Sequence, residues 1–281
     1  MRENEHLAII KKNLLTEFEF KLFDAALYNL NDSDNQLRFS NYAYALRELF
    51  LHVIKRMAPD DYVRCCEWYP GDNEYKQVPR VATYKYIIHG GLSDDFVSSV
   101  LKLDLKETFS KLKNAFLELN KFTHINEKVF PLDDVLGFQI LLKVEELLSS
   151  LFIRLNECHG LTIESIEEHI NRAVVHAGLF ETIESIDELS SHSSLEGIDV
   201  EDIKVVDLDY SNISFCVTGT VDVGLQWGSN SDVKNDMGAI GSESFPFQCE
   251  LTSSVGDPYN LEYGESSFTV DTSQWWDNYY D

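Results

Sequence analysis

Apolar residues recur at spacings of three and four along the first 190 positions, and at spacings of two from about position 204 onward. The first period marks helices with one buried face; the second marks half-buried strands. Residues 1–30 read as one helix on Leu7, Ile10, Leu14, Phe18, Leu22 and Ala25, broken by the Asn- and Asp-rich stretch 31–36. A helix over 40–57 comes next, with Leu46, Leu49, Val53 and Arg56 along one side and Pro59 just beyond its end. Residues 58–79 are aromatic but aperiodic, which predicts a long ordered loop. Residues 81–92 form the next helix, ended by Gly90 or Gly91, and Ser93 is placed to cap a short helix carrying Asp94 and Asp95 in its first turn. Asp104 and Glu107 approximate a capping box for a helix reaching about residue 122, with Leu105, Phe109, Leu112, Phe116 and Leu119 on its buried face.

Two more helices are predicted, over 132–158 and 162–190. Alternating segments at 204–210, 213–227, 245–251 and 267–272, bounded by Gly, Asn, Asp and Ser, then read as antiparallel strands. The pattern predicts an α+β chain: an all-α helical bundle over 1–160, a connecting long helix over 161–195, and an antiparallel β domain over 196–281.

Composition sharpens this picture. Of 281 residues 44% are hydrophobic and 12% aromatic, which excludes a disordered chain despite a net charge of −25. No apolar run approaches the ~20 residues that span a bilayer. The N-terminus lacks the basic-then-apolar order of a signal peptide. A cytoplasmic protein with no membrane association is expected. Cys65, Cys66, Cys158, Cys216 and Cys249 include no CxxC pair, so neither a disulfide framework nor a zinc site is expected, and no cofactor. Residues 1–160 hold 20 Lys and Arg against 24 Asp and Glu, whereas residues 161–281 hold three basic residues against 24 acids. So acidic a C-terminal part repels phosphate backbones, and any contact with nucleic acid belongs to the helical part. Solubility explains the acidity as well as a basic partner does.

Candidate chemistry concentrates in that helical part. Asn120 and His124 are four apart, so a helix would carry both on one face. An imidazole can take a proton from a ribose 2′-hydroxyl near neutral pH, while Asn orients the ring or the phosphate. A solvent-facing polar pair at a helix end explains the same spacing. Arg47 lies among apolar neighbours, where its fork suits phosphate or a carboxylate on another helix. Arg80 and Lys85 could line a phosphate-contacting edge or a solvated helix face. Glu67, Trp68 and Tyr69 could form a base-stacking platform or simply anchor the loop. The pairs Asp94–Asp95 and Asp133–Asp134 could hold a hard cation, but both lie where helix N-termini favour acids. Asp222, Asp232 and Asp236 lack the spacing of a metal-dependent nuclease core. No Walker-A loop, G-x-G-x-x-G, G-x-S-x-G or H-E-x-x-H is present, which removes nucleotide-driven motors, dehydrogenases, α/β-hydrolases and zinc peptidases. Trp275, Trp276, Tyr279 and Tyr280 cluster near the end of the sequence, as residues that pack on a sheet or meet a partner.

Several segments, among them residues 41–69, LNKFTHIN at 119–126, TGTVDVGLQWGSNSD at 218–232 and DTSQWWDNYYD at 271–281, resemble the predicted nucleases associated with prokaryotic PIWI proteins. The resemblance covers nearly the whole chain and implies a nuclease in defence against mobile elements, with a partner protein from the same operon. The helical part is also similar to HEPN domains, which implies metal-independent RNA cleavage; a homodimer through the helical bundle is expected of the adaptor alternative. The HEPN motif is an Arg, a polar residue, a few variable positions and a His. Asn120 and His124 match it, but Leu119 stands where the Arg belongs. The resemblance then makes His124, Asn120, Arg47 and Arg80 the expected catalytic residues, with Lys121, Lys85, Trp68 and Tyr69 contacting RNA. If neither Arg47, Arg80 nor Lys121 replaces the missing arginine, the chain is a non-catalytic adaptor or sensor that holds a basic protein.

Overall fold

A computed structural model describes residues 4–71, 77–127, 130–180 and 184–279. The chain divides into two compact units, Met1–Gly160 and Leu161–Asp281. It has the α+β composition that the pattern predicts.

The first unit is helical: α1 (Glu5–Lys12), α2 (Glu17–Asn31), α3 (Arg38–Met57), α4 (Asp60–Cys65), α5 (Arg80–His89), a π-helical turn over Phe96–Val100, and α6 (Lys106–Thr123). The long helix α7 (Asp134–Phe180) begins in this unit. The single helix predicted over 1–30 is two. Thr16 opens α2 with a reciprocal cap, its hydroxyl accepting from the Glu19 N–H while the Glu19 carboxylate accepts from the Thr16 N–H. The apolar spacing runs through this break because Leu14, on the bend itself, stays buried.

Glu19 is fully buried and also receives Arg56 Nε at 2.7 Å and the Leu15 N–H at 2.7 Å. Burial alone would raise its carboxyl, but the hydrogen bonds from Arg56, Leu15 and Thr16 outweigh it and hold the group below the usual glutamate range. The capping box expected at Asp104 does not form. Asp104 accepts from the Lys106 N–H at 3.0 Å, while Glu107 turns to Lys111 at 2.9 Å.

The aperiodic stretch 58–79 contains α4, too short to show a period, and Trp68 Nε1 pins it by donating to the Gly90 carbonyl at 2.8 Å. Residues 72–76 of that stretch lie outside the described residues. Ser93 does cap the turn after α5, accepting from the Phe96 N–H at 3.1 Å. The core forms where α3, α6 and α7 meet, with Phe50 against Phe116 at 5.7 Å and Phe152 at 5.9 Å.

Two helices were expected across 132–190, and α7 joins most of that length into one. A mid-helix glycine costs only about 1 kcal/mol relative to alanine. Cys158 and Thr162, fully buried on either side of Gly160, offset that cost. The unit boundary falls at Gly160 within this helix. Residues 181–183 of the expected second helix lie outside the described residues, and α8 (Glu184–Asp187) comes after them.

The second unit holds a five-stranded antiparallel sheet of β1 (His192–Leu208), β2 (Asn212–Trp227), β3 (Ala239–Ser254), β4 (Asp257–Glu262) and β5 (Phe268–Val270), ordered β1-β2-β3-β4 with β5 also on β3. Along β2 the buried positions alternate strictly, with Phe215, Val217, Val221 and Val223 inward. The long β1 carries register shifts at Leu195/Gly197, Val200/Asp202 and Val205/Asp207. The first two shifts reset the alternation upstream of 204, which is why only the end of β1 is legible as a strand. The C-terminal part of α7 belongs to this unit, and Gly178 there lies so close to Ile198 that an added Cβ would meet its side chain at 2.7 Å. Two short helices also lie among the described residues of this unit: α9 (Asn230–Lys234) and α10 (Ser273–Tyr279). Trp275 stacks on Trp227 at 6.1 Å, so this part of the aromatic tail packs on its own unit; Tyr280 lies outside the described residues.

Candidate functional site

Helix α6 turns Leu112, Phe116 and Leu119 into the core and leaves Lys113, Asn114 and Lys121 outside. Asn120 lies between these faces, half-buried, and its Oδ1 accepts from Arg47 Nε at 2.9 Å. Arg47 also pairs with Glu48 next to it on α3. The carboxylate expected for Arg47 is thus its own neighbour, and the remaining fork reaches Asn120.

Two cavities flank this amide. One, of about 360 Å³, lies between α5 and α6, lined by Arg80, Tyr84, Lys113, Phe116, Leu117 and Asn120 with Pro79 and Val81 at its edge. The other, of about 800 Å³, is lined by Lys111, Asn114, Glu118, Asn120, Lys121 and Lys143, among others. Asn120 borders both.

Arg80 opens α5 directly after Pro79, which sets the first turn without needing a donor. Its guanidinium carbon lies 4.7 Å from the centre of the Phe116 ring. It makes no ion pair among the described residues. One turn later Tyr84 is 2% exposed, stacked against Phe116, and its hydroxyl has no hydrogen-bond partner among the described residues. An orphaned hydroxyl of this kind costs on the order of 1–3 kcal/mol. Burial pushes this phenol above its ordinary pKa, and the Arg80 charge opposes the shift. The first cavity therefore has apolar walls, two cations, an amide and a phenol, with no carboxylate in its lining among the described residues.

His124 is the C-cap of α6, exposed, with its carbonyl held by Asn126 Nδ2 at 2.9 Å. It borders neither cavity. The expectation that Asn120 and His124 share one helical face fails, because the helix ends at Thr123 and His124 takes an extended conformation. Leu119, at the position where the HEPN motif carries its arginine, is fully buried. No basic side chain could stand there without burying its charge.

The remaining expected contacts are engaged elsewhere. Lys121 pairs with Glu118 at 2.5 Å. Lys85 lies 4.0 Å over the Trp68 ring and 2.6 Å from Asp94, and Trp68 meets Tyr69 edge-on. These four residues anchor the loop to α5 beside His89, which is buried and held down to about 4 by that burial and by the Lys85 charge. Among the acids, Asp133 caps α7, Asp134 pairs with Arg38, and Asp232 caps α9. Asp222 bonds to Ser244. Among the described residues, no three His, Cys, Asp or Glu side chains group as metal ligands.

Sequence reasoning missed Tyr84, Lys113 and Phe116. The signal was present as Arg80 and Tyr84 four apart, facing Lys113, Phe116 and Asn120 at helical spacing. What it lacked was the pairing of the two helices.

The helical unit with its cation-lined cavities, followed along the chain by the long-stranded sheet unit, defines an α+β protein whose polar site lies on α3, α5 and α6. Two family models, each described as a predicted pPIWI-associating nuclease, match residues 11–151 and 155–276, so nearly the whole chain is covered. The chain belongs to this family of predicted pPIWI-associating nucleases. No curated protein and no solved structure matches it. Among the described residues no helix is long and apolar enough to cross a membrane.

Proposed function

We propose that the protein is a metal-independent ribonuclease of prokaryotic defence, acting in the cytoplasm through its helical unit. The observation that carries this reading is the Arg47–Asn120 hydrogen bond at a cavity that also presents Arg80. It joins the Asn120 amide to Arg47 and sets it in a lining that it shares with Arg80, so that Arg80 on α5 supplies the positive charge missing at Leu119. Phosphodiester oxygens bind at Arg80 and Lys113 in this cavity, where charge-assisted hydrogen bonds are strongest, and Lys121 in the neighbouring cavity contacts the strand.

His124, the cap residue just beyond α6, accepts the 2′-hydroxyl proton. The 2′-oxygen forms its bond to phosphorus as the bond to the 5′-oxygen breaks. The leaving oxygen takes a proton from water, and His124 returns its proton to solvent. The products are a 2′,3′-cyclic phosphate and a 5′-hydroxyl. Arg80 balances the charge that builds on the phosphorane. Purified protein incubated with labelled RNA in EDTA should yield these ends, and His124→Ala should not. Equal cleavage by both, or cleavage only with added Mg²⁺, overturns the mechanism.

A second reading has its own observation: His124 borders neither cavity, while residues 161–281 carry 24 acids against three bases. Here the protein is an adaptor that holds a basic partner. It predicts salt-sensitive partner binding with no turnover on RNA.

A further inference from the structure

The cavity between α5 and α6 has features that phosphate binding alone does not use. A pure phosphate site needs donors and cations, yet most of this wall is apolar: Pro79, Val81, Phe116 and Leu117. Its volume of about 360 Å³ falls in the range of small-molecule pockets. Arg80 is held in place over Phe116 and makes no ion pair among the described residues. Lys113 adds a second cation, and no acid among the described residues lines the space. Asn120 contributes an amide whose orientation Arg47 sets. Tyr84, 98% buried, brings a hydroxyl that the protein leaves without a partner among the described residues.

We propose that this cavity is a nucleotide subsite, taking a nucleobase against the Pro79, Val81 and Leu117 wall and its phosphate on Arg80 and Lys113. This names the substrate class of the proposed nuclease and rests on that reading only for its link to cleavage. A flat ring satisfies the apolar wall, while Phe116 backs the Arg80 guanidinium that receives the phosphate. The anionic group meets the two cations. The polar edge of the base meets the Asn120 amide, and the filled cavity gives the Tyr84 hydroxyl a polar neighbour. Arg47 acts here through Asn120 and is a positioning residue.

The ligand chemistry is the same for a nucleotide within an RNA strand and for a free one, and the test separates them. The full chain is titrated with 5′-AMP, with 5′-UMP and with a fluorescein-labelled RNA oligomer, in EDTA, alongside Arg80→Ala and Tyr84→Phe. Arg80→Ala should weaken binding about tenfold or more, the loss expected of one charge-assisted contact. Tyr84→Phe keeps the ring and should weaken binding about threefold or more. Arg80 is exposed, so its variant should melt with the wild type and serve even if Tyr84→Phe proves unstable. Binding of all probes with both sensitivities establishes a subsite for the strand. Sensitivity for the mononucleotides alone makes the occupant a free nucleotide. No nucleotide binding, or binding unchanged by Arg80→Ala, overturns the proposal. His124→Ala should stop cleavage and leave these affinities unchanged. Wild type that binds nucleotides and never cuts removes the nuclease and keeps the subsite; cleavage with affinities insensitive to Arg80→Ala does the reverse.

Discussion

Arg47 on α3 and Asn120 on α6 are 73 positions apart and joined by a 2.9 Å hydrogen bond from Nε to Oδ1. The bond fixes which end of the amide is engaged, and Asn120 then borders the cavities on both sides of α6. Neither residue lies deep in the core, so the link arranges the site more than it supports the fold.

Arg47→Ala should therefore lower kcat for RNA cleavage by about 10- to 100-fold, the cost of a misplaced group, with KM little changed. Its melting temperature should stay within a few degrees of the wild type. Arg47→Lys should not rescue, since an ammonium lacks the fork that reaches Glu48 and Asn120 together. Single-turnover cleavage and a thermal melt of the same samples check both points.

Glu19 caps α2 and receives Arg56 while fully buried. Glu19→Ala removes the cap and strands the guanidinium, with an expected loss of about 3 kcal/mol in denaturant unfolding. The folded carboxyl lies below its ordinary range, so its stabilisation is complete above that range and is lost as pH falls through the lowered folded value. Wild type should lose stability on acidification more steeply than the variant.

Burial holds His89 down to about 4, helped by the Lys85 charge, and holds His159 to about 4 as well. The unfolded chain protonates first as pH drops below about 6.5. The stabilisation these neutral rings retain is complete above that value and lost as pH approaches 4. Melting temperature should fall across that interval, and His89→Gln with His159→Gln should flatten the fall.

Gly219 on β2 sits where an added Cβ would be 2.0 Å from the Asp199 carbonyl oxygen and 2.9 Å from the Phe247 ring. Backbone cannot yield as a flexible side chain can. Gly219→Ala should destabilise by at least the ~1–3 kcal/mol typical of overpacking. Gly264→Ala, with nothing within 4 Å, should change stability by less than about 0.5 kcal/mol. Urea unfolding of the two variants side by side tests the contrast.

Particular elements show where reading from sequence runs out. The 1–30 helix hides a break because Leu14 is buried on the bend. Six-residue α4 is too short for a period to emerge, and the bulges in β1 erase the alternation upstream of residue 204. The two helices expected over 132–158 and 162–190 are continuous through Gly160, carried by the buried residues around it. At the site, Asn120 and Arg47 were legible as a polar residue and an arginine out of keeping with their surroundings. Tyr84, Lys113 and Phe116 were not, since each looks like ordinary core or surface on its own helix.

Local periodicity and charge, properties of neighbouring residues, were enough to determine the α+β class, the change from helix to strand, and the confinement of nearly all cations to the first 160 positions. Packing decided the rest. Which face of α6 meets α5, that Asn120 meets Arg47, and that the Tyr84 hydroxyl is buried beside Phe116 depend on residues far apart in sequence brought together by buried apolar surface. No periodicity within one segment records such a meeting.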